Sequence, residues 1–298
     1  MVVSSEKEQR SLVVRAKLAQ PVLPSGYVSR RGPLEKLDIL AQQKLTLIGA
    51  PMGYGKTALM VEFAQEKSAE GCLVSWLAID EKDVDLVRFF RHVVAALGGF
   101  DEELAVGMEA ASEGLGLWSG PKRGEDAVVV IGNLLFEALP FGKPCYLLID
   151  DYGCPEQRGI DELLLRLCLS TPSDFHVVFA SSTFSWALQS DACRLGFGCL
   201  VAEDLAVTFD EARQMMQAAC DESPSDEALA KAHECVEGWP QGLMLVARTL
   251  SGARSAHDVR LDGSLVGVRR YFEVHIARRV SGDLLSFMLE ASVFSAPV

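Results

Sequence analysis

Apolar residues along this chain fall into two kinds of run. Some are short and nearly continuous, and the others recur every three and four positions. Lys44-Leu-Thr-Leu-Ile-Gly49 is of the first kind and breaks into a loop rich in Pro and Gly. Cys72–Ile79, Cys145–Ile149 and Phe175–Ala180 repeat it, and Cys199–Val201 is a last short run. Between them lie helical patterns: Thr57–Gln65, a stretch carrying Leu86, Phe89, Phe90, Val93, Val94 and Leu97, then Asp126–Leu139 and Ile160–Leu169. Residues 100–124 are rich in Gly, Glu, Ala and Ser with weak periodicity, and read as a surface excursion. Strands alternating with helices predict an α/β fold, a parallel sheet with helices on both faces. From about Phe209 the pattern is helical only, with helices expected at Phe209, Ser225–Cys235 and Gln241–Leu250. A linker over 251–266 then precedes helices at 267–279 and 282–291. That pattern is still running at Val298, so a longer parent chain is expected.

Charge narrows the range of partners. The 28 Lys and Arg face 41 Asp and Glu, a net charge of -13. Such a chain repels nucleic acid and anionic membrane, so DNA reading is not expected within these residues. The eight cysteines are scattered, without a CxxC pair or a Cys/His cluster, and Cys145 and Cys168 sit inside apolar runs as small core residues. No apolar run reaches the roughly 18 residues of a membrane span. A reduced cytoplasmic protein without a membrane partner is the reading these features support.

The loop after the first strand carries the chemistry. Ala50-Pro-Met-Gly-Tyr-Gly-Lys56-Thr57 fits the phosphate-binding P-loop, with Ala50 where the first Gly is usual. Backbone N–H groups of such a loop surround a phosphate, and the following helix adds its positive end. Gly53, Tyr54, Gly55, Lys56, Thr57 and Ala58 are therefore the expected nucleotide-binding residues. Lys56 would face the β- and γ-phosphates, and the Thr57 hydroxyl would take one Mg²⁺ position. A chance glycine-rich turn does not account for the strand before it and the helix after it.

The second half of the site should be acidic and lie at the end of a neighbouring strand. Tyr146-Leu-Leu-Ile-Asp150-Asp151 supplies four apolar residues and then two carboxylates. Ligands of open α/β sheets bind outside the carboxyl ends of the strands. Asp150 is thus expected to hold Mg²⁺ through water, and Asp151 to orient or deprotonate an attacking water. An Asp-Asp turn or helix cap is the alternative for Asp151.

With these residues in place the chain resembles a known family. Leu45–Thr57, Val74-Ser-Trp-Leu-Ala-Ile-Asp-Glu-Lys-Asp83, Leu147–Tyr152 and Glu237-Gly-Trp-Pro240 look like the MalT-type branch of the STAND signal-transduction ATPases. That branch contains large LuxR-family transcription regulators. The resemblance covers about residues 17–298. It implies an N-terminal arm lining the nucleotide site (1–40), a P-loop nucleotide-binding domain (41–207), a small helical domain (208–255) and the start of a winged-helix domain (256–298). It also implies that Gly26–Arg31, with Val28 and Arg30, lines the adenine pocket, and that Pro240 packs on the base. As a residue pattern alone, Gly238-Trp239-Pro240 is a turn between helices, where Pro suits a first helical position.

The same resemblance implies a switch. ADP would hold the domains closed, ATP would open them and permit self-association, and inducer and DNA would bind through regions beyond residue 298. One position departs from the family pattern. His176-Val-Val-Phe-Ala-Ser-Ser182 ends in Ser182 where the family's sensor strand carries Arg. Hydrolysis is therefore expected to be slow at most, with Arg194 either a partial substitute or a solvated surface cation. Two rival readings are a STAND protein with a defence or scaffold output and a P-loop small-molecule kinase. The kinase would need a lid with clustered Arg, which the sequence does not display.

Overall fold

The computed structural model describes residues 13–80, 83, 86–100, 104, 106–107, 110, 123–139, 142–151, 158–184, 186–220, 224–252, 270–277 and 281–291. Five strands form one parallel sheet: β1 (Leu45–Gly49), β2 (Leu73–Ala78), β3 (Cys145–Asp150), β4 (Phe175–Ser181) and β5 (Gly198–Leu200), in the order β2-β3-β4-β1-β5. The connections carry α1 (Arg31–Leu40), α2 (Lys56–Ala69), α3 (Leu86–Leu97), α4 (Arg123–Ala138), α5 (Arg158–Leu169), α6 (Trp186–Leu195) and α7 (Ala202–Leu205).

Strand side chains alternate between faces, and each face has its own core. Leu45, Leu47, Leu147, Ile149, Val177 and Phe179 turn to one side, against Phe89 and Phe90 of α3, Ile131 and Leu135 of α4, Leu164 of α5 and Leu188 of α6. Ile48, Trp76, Leu148, Val178 and Ala180 turn to the other, against Leu34 and Leu37 of α1 and Met60 and Phe63 of α2. Fully burying one such Leu or Phe is worth about 1.5–3 kcal/mol, so the two cores hold the sheet between its helices. The α/β reading with both faces covered is what the structure has.

Several elements differ from expectation. Helix α2 runs to Ala69 rather than Gln65, and α1 and α6 were not foreseen. In α1 the apolar pair Leu34 and Leu37 follows Pro33 in the first turn, a short helix signal hidden among charges. Most of 100–124 lies outside the described residues, but Leu104 is buried in the first core, so that stretch is not wholly a surface excursion. Residues 251–266 lie largely outside the described residues as well. No helix among the described residues is long and apolar enough to cross a membrane.

The chain divides into two compact units, Met1–Ser25 with Ser29–Leu205, and Gly26–Val28 with Ala206–Val298. In the second, α8 (Phe209–Ala219), α9 (Asp226–Val236) and α10 (Pro240–Gly252) close on Met216, Leu229, Leu243 and Val246. Thr208 and Glu211 cap α8 reciprocally, and the Ser225 hydroxyl caps α9. Glu237 and Gly238 take left-handed φ of 48° and 74°, and the Val207 amide donates to the Gly238 carbonyl at 2.8 Å. A Cβ on Gly238 would lie 3.1 Å from that of Ala206, so both conformation and space require glycine there. Trp239 then packs edge-on to Tyr271, 5.2 Å between ring centroids. Of the helix expected over 267–279, residues 270–277 are helical, with Glu273–Ala277 wound as a π-helix. Helix α11 (Gly282–Ala291) follows.

Candidate phosphate and metal site

The site begins where β1 stops. Ala50 is buried, and its amide donates to Ser181 O of β4 at 3.3 Å, the last rung of that ladder. The chain then leaves the sheet through Gly53 and Gly55, at φ of 84° and 80°, where a side chain would be strained. Gly55 is the residue before α2, whose first turn opens on Lys56, Thr57 and Ala58. The unpaired N–H groups of that turn face the loop. Buried Leu59, Met60 and Phe63 fix the helix on the sheet, so the loop is held at both ends. The small Ala50 side chain fits its buried place; the positions that demand glycine are the two later ones.

Lys56 turns back into the loop. Its Nζ donates to the carbonyls of Ala50 at 2.7 Å and Pro51 at 3.1 Å, and lies 3.5 Å from Ser182 Oγ. Burial lowers its pKa, opposed by the charges of Asp151 and Asp150. The ammonium thus lies at the carboxyl end of the sheet, within the electrostatic reach of both carboxylates.

Strand β4 lies between β1 and β3, so the ends of the three strands are side by side. Asp150 ends β3 with only 4 % of its surface exposed. Burial, reinforced by the charge of Asp151, pushes its carboxyl up to about 6, against a hydrogen bond from the Thr57 side chain. Its Oδ1 is buried with no hydrogen-bond partner. An orphaned buried carboxylate oxygen beside a bonded hydroxyl is a hard-oxygen donor set of the kind Mg²⁺ takes. The residues present therefore fit the expected metal. Among the described residues there is no group of three or more His, Cys, Asp and Glu able to hold a metal ion. Asp151 is exposed and at φ 56°, a left-handed conformation that Asp tolerates better than most residues.

The remaining expected residues lie elsewhere. The Arg30 guanidinium is buried and donates to Leu205 O at 2.8 Å, capping the end of α7. Arg194 is on the outer surface of α6, paired with Asp191 at 3.2 Å. Val28 and Pro240 both belong to the second unit.

A second polar centre escaped the sequence reading. Asp83, 1 % exposed, receives Lys17 Nζ, Arg88 Nε at 2.9 Å and the Asp80 amide at 3.0 Å, with His92 Nδ1 at 3.4 Å. Burial opposes its ionisation, but the hydrogen bonds from Lys17, the Asp80 amide and Arg88 prevail and hold its carboxyl below the usual range. The only signal was that Asp83 closes the segment Val74–Asp83; Lys17 is too remote in sequence to be paired with it by spacing.

The chain is 27% identical over 293 residues, 95% of its length, to the HTH-type transcriptional regulator MalT of Serratia proteamaculans, and equally to that of Yersinia enterocolitica. This chain is similar to the MalT regulators. The resemblance read from its motifs is borne out across nearly the whole sequence, although the chain spans only about 30% of those regulators' length. No family model matches the chain. Among solved structures, AMPPCP-bound DnaA from Aquifex aeolicus aligns with 91% of this chain and 73% of its own at 13% identity and TM-score 0.39. PCH-2 of C. elegans aligns with 84% and 65% at 14% identity and TM-score 0.42.

Proposed function

We propose that this chain is an ATP- and ADP-binding switch module of a MalT-like, LuxR-family transcriptional regulator of the STAND class, acting in the cytoplasm. One observation carries the reading: Lys56, Thr57 and the partnerless oxygen of Asp150 converge at the carboxyl end of one sheet. In this reading the loop amides of Gly53–Thr57 and the end of α2 receive the phosphates, and Lys56 leaves its carbonyl partners to meet the β- and γ-oxygens. Thr57 and Asp150 hold Mg²⁺, which offsets phosphate charge when bound. Asp151, exposed beside the strand end, orients the attacking water. Val28, Arg30 and Pro240 serve the base, as the family resemblance implies. Arg30 would do so from the place it keeps at Leu205 O.

Ser182 approaches Lys56 with a hydroxyl rather than a guanidinium, so it brings no positive charge to a transition state. Turnover should therefore be far below the ~10 s⁻¹ of an ordinary enzyme, suiting a switch that reports which nucleotide is bound. ADP keeps the resting state closed, ATP favours an open, self-associating state, and inducer and DNA act through regions beyond residue 298.

Lys56→Ala tests the site. Losing one charge-assisted contact costs about 1.5–3 kcal/mol, so ATP and ADP affinity should fall roughly ten- to a hundredfold while the fold stays intact. Calorimetry showing unchanged binding by a folded Lys56→Ala protein would defeat the assignment.

A further inference from the structure

The arm ahead of the sheet is attached by half-buried Leu18 and Leu23, which pack against the first and second cores, and by a set of polar contacts. The short 3₁₀ turn Arg15–Leu18 has no buried residue, Val14 is 41% exposed and Val22 is 91% exposed. Lys17 nevertheless reaches the buried Asp83 and lies 2.9 Å from Asp80. The Val14 amide donates to His92 Nε2 at 3.2 Å, and Gln20 donates to the carbonyl of Val61 in α2 at 3.3 Å. Downstream, Arg30 is fixed to Leu205 O.

A buried ion cluster is a poor way to gain stability, because apolar residues of the same volume would serve as well or better. It is a good way to fix position. The Nδ1 of His92 faces the Arg88 carbonyl at 2.9 Å, which leaves Nε2 as the acceptor for Val14. Asp83 accepts from directions set by Asp80 and Arg88 of its own segment. Every group in the cluster is directional, and together they specify one register for the arm on the end of β2.

We propose that Lys17 and Asp83 form a latch that positions the arm for the base end of the nucleotide. Held upstream by Asp83 and Val61 and downstream by Leu205, the part of the arm that belongs to the first unit is tied at both ends rather than a free tail. Lys17 and Asp83 are positioning residues that touch no ligand. The inference rests on the nucleotide reading above and adds to it a residue pair outside the site. A ligand that contacts the arm gains from its being held in place, because apparent affinity scales with the fraction of protein already competent. A ligand made of phosphate alone gains nothing.

The test separates those two ends of the ligand. Binding of ADP and of inorganic pyrophosphate is measured by calorimetry for the parent, Lys17→Met, Lys17→Arg and Asp83→Asn, with Lys56→Ala as the phosphate-site control. If unlatching lowers the competent fraction to about a tenth, Lys17→Met weakens ADP about tenfold and leaves pyrophosphate within about twofold. Lys17→Arg keeps the charge and should restore most of the ADP affinity, and Lys56→Ala should weaken both ligands. Hydrogen exchange at Val14–Gln20 should quicken in folded Lys17→Met, and in Asp83→Asn if that variant is the better folded of the two. An unchanged ADP affinity in a folded variant with a released arm overturns the latch, as does an equal loss for ADP and pyrophosphate. A parent that binds neither ligand overturns the nucleotide reading, and the latch falls with it.

Discussion

Asp150 and Asp83 stand at the carboxyl ends of adjacent strands, one closing β3 and the other in the turn beyond β2, and both are almost lost to solvent. Their surroundings are opposite. Asp83 gathers a Lys, an Arg and a backbone amide, and its carboxyl is held below the usual range against the effect of burial. Asp150 has one oxygen with no partner, and burial and Asp151 push its carboxyl up to about 6. The same side chain thus finishes a structure in one place and is left incomplete in the other. A carboxylate whose bonds are all met inside the protein has nothing to offer a ligand. One that is buried and unmet is a destabilising group that binding can relieve.

The contrast is broken most directly by removing each carboxylate. Asp83→Ala takes the buried partner from Lys17, only 11% exposed, which keeps just the exposed Asp80 at 2.9 Å, and removes one acceptor from Arg88. Breaking a buried pair in this way costs about 3–5 kcal/mol, readable as a large fall in the midpoint of thermal or urea unfolding. Asp150→Asn should act with the opposite sign. A folded pKa of about 6 against an ordinary 3.8 means the folded state holds its proton more tightly, so the charged group penalises folding at neutral pH. That penalty, about 3 kcal/mol, is fully present above pH 6 and disappears as pH falls towards 4. Nucleotide-free Asp150→Asn should therefore be more stable than the parent at pH 7.5 and equal to it near pH 4. A variant less stable than the parent at pH 7.5 would show that Asp150 is a structural group after all.

Smaller effects sharpen the comparison. His92 at the latch and His176, whose ring stacks on Tyr146, are both buried, and burial lowers their pKa values. Their protons bind more tightly in the unfolded chain, so stability falls as pH drops below the ordinary 6.5, by at most about 1.4 kcal/mol per pH unit for each. Between pH 6 and 4 this acid loss runs against the Asp150 gain. Urea midpoints across pH should slope more steeply in Asp150→Asn, where the opposing Asp150 gain is gone. Last, Asp151→Asn should lower whatever slow hydrolysis exists while ATP binding survives. Equal turnover in mutant and parent would make Asp151 a turn residue, its φ of 56° being the reason for its identity.

The sheet was legible because its signal is periodic and local. All five strands announce themselves as short apolar runs, and burial on both faces explains why the runs of β1, β3 and β4 are unbroken rather than alternating. The glycine-rich loop after β1 was legible because Gly53, Gly55, Lys56 and Thr57 stand at fixed offsets between a strand and a helix. Asp83 was not. Its meaning depends on Lys17 and His92, brought together by tertiary packing that no spacing rule encodes. Arg30 illustrates the same limit, since nothing in the residues around it points to the carbonyl of Leu205. Gly198 was equally silent. A Cβ there would lie 2.8 Å from that of Leu40, a closeness visible only once β5 and α1 are side by side.

Strand β1 pairs with β4 and β5, which are the last two strands of the sheet to be synthesised. On a ribosome the phosphate loop therefore emerges early but cannot be held in place until most of the first unit has followed it. Strands β2 and β3, by contrast, can pair as soon as Asp150 is out. Contacts so distant in sequence form slowly, and the bare edges of β1 are open to wrong partners in the interval. Any shortened version that stops before Gly198 loses the neighbour of Thr46, Leu47 and Ile48. Such a piece should aggregate rather than bind nucleotide weakly, which sets a lower limit on the smallest fragment worth making.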